Sequence, residues 1–189
     1  MGKIFESIDQ KLRQFIEAQA MFFVATAPRA DSGHVNLSPK GLDSFRVLGP
    51  TTVAYLELSG SGAETIAHLR ENGRITVLFN AFAGPPKILR LYGRGRAVFP
   101  ADAEWEELAG RFPALPGVRS IIVVECERIA DSCGFGVPRY ELEGERKQLT
   151  DWAERKGEDA VLDYMKRNNQ RSIDGLPALE GTNRLGDNA

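Results

Sequence analysis

The chain has 189 residues, 42% of them hydrophobic, and a formal net charge of -2, with a mean hydropathy of -0.27. That size fits one domain, or one domain with a helical appendage, and the apolar fraction suffices for a core. The small negative charge gives no general attraction to nucleic acid or anionic membrane. No apolar run approaches the roughly 20 residues that span a bilayer. Near the N-terminus Glu6, Asp9 and Glu17 interrupt Lys3 and Arg13, and no signal-like apolar region follows, so a cytoplasmic location is expected.

In chain order, Ile4, Ile8, Leu12, Phe15 and Ile16 recur at helical spacing and predict an amphipathic helix over 4–19. Residues 21–27 are apolar and β-prone and end at Pro28. Residues 34–38 alternate as a strand, which Pro39-Lys40-Gly41 is expected to stop. A short strand over 43–48 closes at Gly49-Pro50, and Val53 to Leu58 is a further strand. The turn Ser59-Gly60-Ser61-Gly62 leads to a helix over 63–71, with Ile66 and Leu69 inward and Gly73 positioned to end it. Strands follow over 74–79 and 87–99, joined by the rigid Gly84-Pro85-Pro86 turn. Gly93 and Gly95 inside the second mark a bulge or a close backbone approach. A helix is predicted over 101–112 and a buried strand over 120–129, which includes Ile121-Ile122-Val123-Val124. Two charged helices, 145–156 and 159–168, precede a polar, Gly-rich arm from Asn169 onward. Short strands with few intervening helices point to a barrel or sandwich with helical additions rather than a doubly wound sheet.

The segment 59–65 is the strongest phosphate candidate on physical grounds. It leads from a strand into a helix, where unpaired N–H groups face an incoming anion, and Ser61 and Thr65 add hydroxyls. Ser61-Gly-Ala-Glu64 also has the spacing of a capping box, which would use the same donors internally. Lys40 either neutralises a phosphate or is an ordinary solvated turn residue. Arg90, Arg94 and Arg96 share one strand face, as an anion site or as a wet surface. His34 and His68 are the only histidines. They form no zinc motif with the cysteines, and His68 is expected on a helix surface. Cys126 and Cys133 have neither redox nor metal spacing and are expected to be free thiols. Gly93-Arg94-Gly95 opens no helix and is not a dinucleotide loop. No nucleophile elbow is present. Cys133-Gly134-Phe135-Gly136-Val137-Pro138 is a bend after the last strand, or a loop suited to packing on a flat ring.

Together, Val35-Asn-Leu-Ser-Pro-Lys-Gly41, Leu58-Ser-Gly-Ser-Gly-Ala-Glu-Thr65, Asn72-Gly-Arg-Ile-Thr-Val-Leu-Phe79 and Ile88-Leu-Arg-Leu-Tyr-Gly-Arg94 resemble, in order and spacing, the FMN-binding split barrels of the pyridoxamine 5'-phosphate oxidase-like superfamily. The resemblance covers about residues 20–130. It implies a mainly β (α+β) fold: a six-stranded antiparallel split barrel with flanking helices. Residues 1–136 would form the barrel, and residues 137–189 a helical extension and tail of the same domain. It also implies a homodimer with FMN in clefts between the subunits. Lys40, at a strand end with Pro39, would meet the FMN phosphate, helped by Ser59, Gly60, Ser61 and Thr65. Asn36 and Ser38 would run beside the isoalloxazine ring, and Lys87 and Arg90 would reach in from the partner chain. The oxidase itself usually has Ser-Arg-Lys in the turn where this chain reads Gly62-Ala63-Glu64, and a Gln contact where Ile88 stands. Its late Arg-x-His substrate motif has no counterpart, since no histidine follows His68. The resemblance therefore implies an FMN-dependent oxidoreductase with an unassigned small-molecule substrate, no named catalytic residue, and no true oxidase activity on pyridoxamine 5'-phosphate. The alternatives are an F420-binding reductase and a flavin-binding or storage protein without turnover. No nucleic-acid, membrane or metal partner is expected.

Overall fold

The computed structural model describes residues 2–182 and 185. Its strands are β1 (Ile4–Phe5), β2 (Phe22–Thr26), β3 (Asn36–Lys40), β4 (Phe45–Val47), β5 (Thr52–Leu58), β6 (Arg74–Asn80), β7 (Ile88–Val98) and β8 (Val118–Ser132). The helices are α1 (Gln10–Glu17), α2 (Glu64–Asn72), α3 (Trp105–Ala109), α4 (Gln148–Lys156) and α5 (Glu158–Asn168). One antiparallel sheet runs in the order β3-β2-β6-β7-β8-β5-β4, with β1 added on β8. It curls into a half-barrel flanked by the five helices. The six strands that the resemblance implies correspond to the six of five residues or more; β4 lies within the predicted 43–48 strand, and β1 is a short addition.

The concave face carries the main core. Phe22, Val24, Tyr55, Val77, Leu91, Ile122 and Val124 meet there under α1, α2 and the C-terminal helices. Phe22 makes edge contacts with Phe45 and Tyr55 at centroid distances of 5.0 and 5.5 Å. A second cluster, Ala54, Leu56, Val98, Ile121 and Val123, lies on the opposite side under Trp105 and Leu108. Residues 121–124 are thus covered on both faces. This accounts for their unbroken apolar run, whereas half-buried β2 and β6 alternate.

The opening helix is shorter than its apolar spacing predicts. Asp9 caps it by accepting a hydrogen bond from the Leu12 N–H (2.8 Å), and Ile4–Phe5 instead pairs with Ala130 and Ile129. Ile4 matched the helical period yet is exposed, because the chain is already a strand there. Pro39 does not stop β3. It lies within an edge strand, opposite Phe23, where one side needs no N–H. Helix α3 covers only the middle of the predicted 101–112 span. Helix α2 ends at Gly73 in the left-handed region (φ 71°) as expected. The register between β7 and β8 shifts at Tyr92/Gly93. A Cβ on Gly93 would collide with the Glu125 carbonyl, so the glycine serves close backbone approach. Cys126 and Cys133 are free thiols.

The arm from Asn169 is not loose over its described length. Ala178 and Leu179 are buried in the main core and Asn169 is fully buried. Arg70 donates to the Ala178 and Glu180 carbonyls. Its polar composition concealed two apolar anchors.

Candidate functional site

Alternation on β3 decides which side chains gather. Asn36, Ser38 and Lys40 pair with Thr26, Val24 and Phe22 and share the concave face. Pro39 points the other way and is exposed.

Asn36 is the hub of a polar chain. Its amide nitrogen donates to the hydroxyls of Thr26 and Thr65, both at 3.1 Å. Ser38 donates its hydroxyl to the Asn36 Oδ1 at 2.9 Å. Thr26 Oγ1 lies 2.9 Å from Nδ1 of His68. His68 is fully buried rather than on a helix surface, because α2 packs against β2 and β6 on that side. Its Nε2 has no hydrogen-bond partner among the described residues, and burial holds its pKa below the usual 6.5. The phenol of Tyr55 lies beside Thr65 without a well-formed hydrogen bond, and burial, then the charge of Glu57, pushes its pKa well above 10.0.

Lys40 is not a solvated turn residue. Its Nζ sits 3.1 and 3.2 Å from the two carboxylate oxygens of Glu57, which is buried at the end of β5. Arg119, only 1% exposed, donates to the same carboxylate at 2.9 Å and to the Gly62 carbonyl at 3.0 Å. A bulge permits this. Glu57 pairs with Ser120 and Leu58 with Val118, so Arg119 is the extra residue, turned toward Glu57. Burial opposes ionisation of Glu57, but Lys40 and Arg119 outweigh it and hold its pKa below 4.5. Lys40, Arg119 and Glu57 together carry one net positive charge, with the Glu64 carboxylate nearby against Gly62.

The β5–α2 turn lies beside this group. Ser61 does not cap α2. The N-cap is Ala63, with no side-chain cap bond, so the capping-box spacing is not used. Ser59 is buried and its hydroxyl has no partner among the described residues, as is the case for Arg119 Nε and the Ser120 hydroxyl. Ser61 is exposed.

Lys87 and Arg90 do not join this cluster within one chain. Arg90 lies in the row Arg90–Leu78–Phe23–Pro39 and so faces the convex side, where it donates to Ser132 Oγ at 2.9 Å. Lys87 Nζ stands 4.8 and 5.7 Å from the ring centroids of Phe15 and Phe5. Arg94 and Arg96 share Arg90's face and pair with Glu127 and Glu104. One cavity of about 430 Å³ opens between Leu69, Arg70, Phe99 and Thr182, and shares no residue with the Lys40 and Asn36 groups.

The residues missed by sequence reasoning are Glu57, Arg119, Thr26, His68 and Asn169. Glu57 alone left a signal, a carboxylate inside an otherwise apolar strand. Arg119 depends on a bulge and Asn169 on the docking of a distant segment, neither of which is written in local pattern.

The family model of pyridoxamine 5'-phosphate oxidase matches residues 8–133. A pyridoxamine 5'-phosphate oxidase family protein of Aspergillus flavus, ustO, is 39% identical over 203 residues, spanning 97% of this chain and 80% of that protein. The chain belongs to the pyridoxamine 5'-phosphate oxidase family. Solved structures agree at the level of fold. HupZ of group A Streptococcus superposes with a TM-score of 0.51 at 24% identity, covering 65% of this chain and 91% of HupZ. The FAD binding protein of Mycobacterium smegmatis gives 0.50 at 15% identity, covering 69% and 97%. The family match begins within the N-terminal segment and ends at Cys133, so helices α4 and α5 and the arm lie beyond it. No described helix is long and apolar enough to cross a membrane.

Proposed function

We propose that the protein binds FMN as a homodimer and works as a flavin-dependent oxidoreductase on a small molecule. The observation that carries this reading is the pairing of Lys40 and Arg119 with a single carboxylate, next to a helix-entry turn that retains unpartnered buried polar atoms. An anion completes both the charge and the hydrogen bonding there. Lys40, Ser59, Gly60, Ser61 and Thr65 would hold the FMN phosphate. Asn36 and Ser38 would lie along the ring, their orientation set through Thr26 and His68. Arg90, on the other side of the sheet, and Lys87, beside Phe5 and Phe15, would serve the partner's cofactor. When bound, FMN supplies the electron and hydride chemistry, and the chain's residues bind and orient it. The family relationship supports the choice of cofactor, as does the flavin named for the Mycobacterium smegmatis protein. Pyridoxamine 5'-phosphate is not the proposed substrate, because no histidine follows His68 to orient it.

The absorbance of the purified protein tests the reading. Two flavin bands support FMN, and a single main visible band indicates F420 instead. Reduction by NAD(P)H with candidate acceptors separates an enzyme from a storage protein. In calorimetric titration Lys40→Ala should weaken FMN binding by about 1.5–3 kcal/mol, the range for a charged contact. Ser61→Ala should cost about 0.5–1.5 kcal/mol. Unchanged affinity in both folded variants would remove these residues from the site.

A further inference from the structure

Three carbonyls of the β5–α2 turn are held by side chains from far along the chain. Asn169 donates its amide to the Gly60 carbonyl at 2.9 Å and to the Ser61 carbonyl at 3.4 Å. Arg119 donates to the Gly62 carbonyl at 3.0 Å. In a trans peptide the N–H of the next residue points opposite to the carbonyl. Turning these three carbonyls toward Asn169 and Arg119 therefore turns the N–H groups of Ser61, Gly62 and Ala63 away from them. Among the described residues no protein acceptor meets those three N–H groups. Ser61 and Gly62 are exposed. The one nearby carboxylate, Glu64, lies against Gly62 and accepts the backbone N–H of Ile173 at 3.1 Å, so the arm occupies it too. Three further polar atoms border the turn, buried and with no partner among the described residues: Ser59 Oγ, Arg119 Nε and Asn169 Oδ1.

We infer that Arg119 and Asn169 are positioning residues for a phosphate group, clamping the turn so that three successive backbone N–H groups form an anion cradle. The C-terminal arm is thereby part of the cofactor site's architecture, although it reaches the turn from more than 100 residues away. The inference takes its ligand from the FMN reading above, and its mechanism stands on the turn itself. Clamping acts by preorganisation: an unclamped Gly-Ser-Gly turn would lose more conformational freedom on binding.

The test compares FMN with riboflavin, which has the same ring and no phosphate. Asn169→Asp keeps the shape but replaces the donor with an acceptor facing two carbonyls. In fluorescence titrations of the full chain, FMN affinity should fall about 10-fold while riboflavin affinity is unchanged. Equal losses for both flavins, or no loss for either, would overturn the clamp. In parallel, the labelled wild-type chain is titrated with inorganic pyrophosphate and the amide signals are followed by NMR. Shifts concentrated at Ser61, Gly62 and Ala63 support the cradle, and their absence refutes it, whether or not the variant folds. If the wild type binds neither flavin but these amides still shift, the FMN reading fails and the cradle stands.

Discussion

His68 has no exposed surface, one hydrogen-bonded nitrogen and one without a partner among the described residues. Such a ring is held neutral, since its burial outweighs the pull of the Glu64, Asp174 and Glu71 carboxylates. Its folded-state pKa lies below the usual 6.5. A depressed pKa contributes stability that is present above pH 6.5 and is lost as the pH falls through the folded value. Urea midpoints should therefore drop between pH 7 and pH 5, and His68→Phe should flatten that slope. An unaltered slope in the variant would assign the pH dependence to other groups. Glu57 acts in the same direction at lower pH, because its pKa also lies below the ordinary carboxylate value. Neutralising it would leave Lys40 and Arg119 facing each other with no anion between them.

Strands β7 and β8 form the longest ladder in the sheet, and its register shift falls at Tyr92/Gly93. The Gly93 Cα faces the Glu125 carbonyl so closely that any Cβ there must displace backbone. Gly93→Ala should cost about 1–3 kcal/mol, in the range of overpacking in a tight interior. A chemical denaturation curve shifted by less than about 0.5 kcal/mol, the range typical of neutral surface changes, would show that the ladder can relax. The bulge at Arg119 has a different role. It is one of two breaks in the alternation of β8, the other falling at Glu127; it brings a guanidinium beside Glu57 and the turn, and the ladder with β5 continues beyond it.

At the scale of the whole molecule, the arm and the convex face each make a testable difference. Leu179 is 1% exposed in the main core. Leu179→Ala should destabilise by about 2–5 kcal/mol, as buried leucine truncations do. A loose tail would instead leave stability within about 0.5 kcal/mol. The convex side of β3, β2, β6 and β7 carries Leu37, 67% exposed, together with half-buried Phe23 and Leu78. A second copy covering this face would bring Arg90 to a neighbouring cofactor, and two-fold pairing is the usual way such a face is used. Sedimentation should give a dimer at micromolar concentration. A monomer that still binds flavin would contradict the proposed assembly.

Periodicity and turn chemistry were legible without coordinates wherever neighbours in sequence decide the outcome. The strand runs from Phe22 to Ile129, the Gly73 helix stop, the close approach at Gly93 and the family pattern from Val35 to Arg94 are of this kind. Edge or centre, inside or outside, and paired or free are decided by partners distant in the chain. Pro39 continues a strand because β3 has one open side. His68 is buried because α2 lies on β2 and β6. Lys40 is bound to a carboxylate 17 residues away. Ser61 leaves its helix uncapped, while Asn169, in an arm of polar composition, takes hold of the turn. Local pattern carries the backbone's preferences, but hydrogen-bond and charge partners are assigned only when the sheet curls and the arm packs against it.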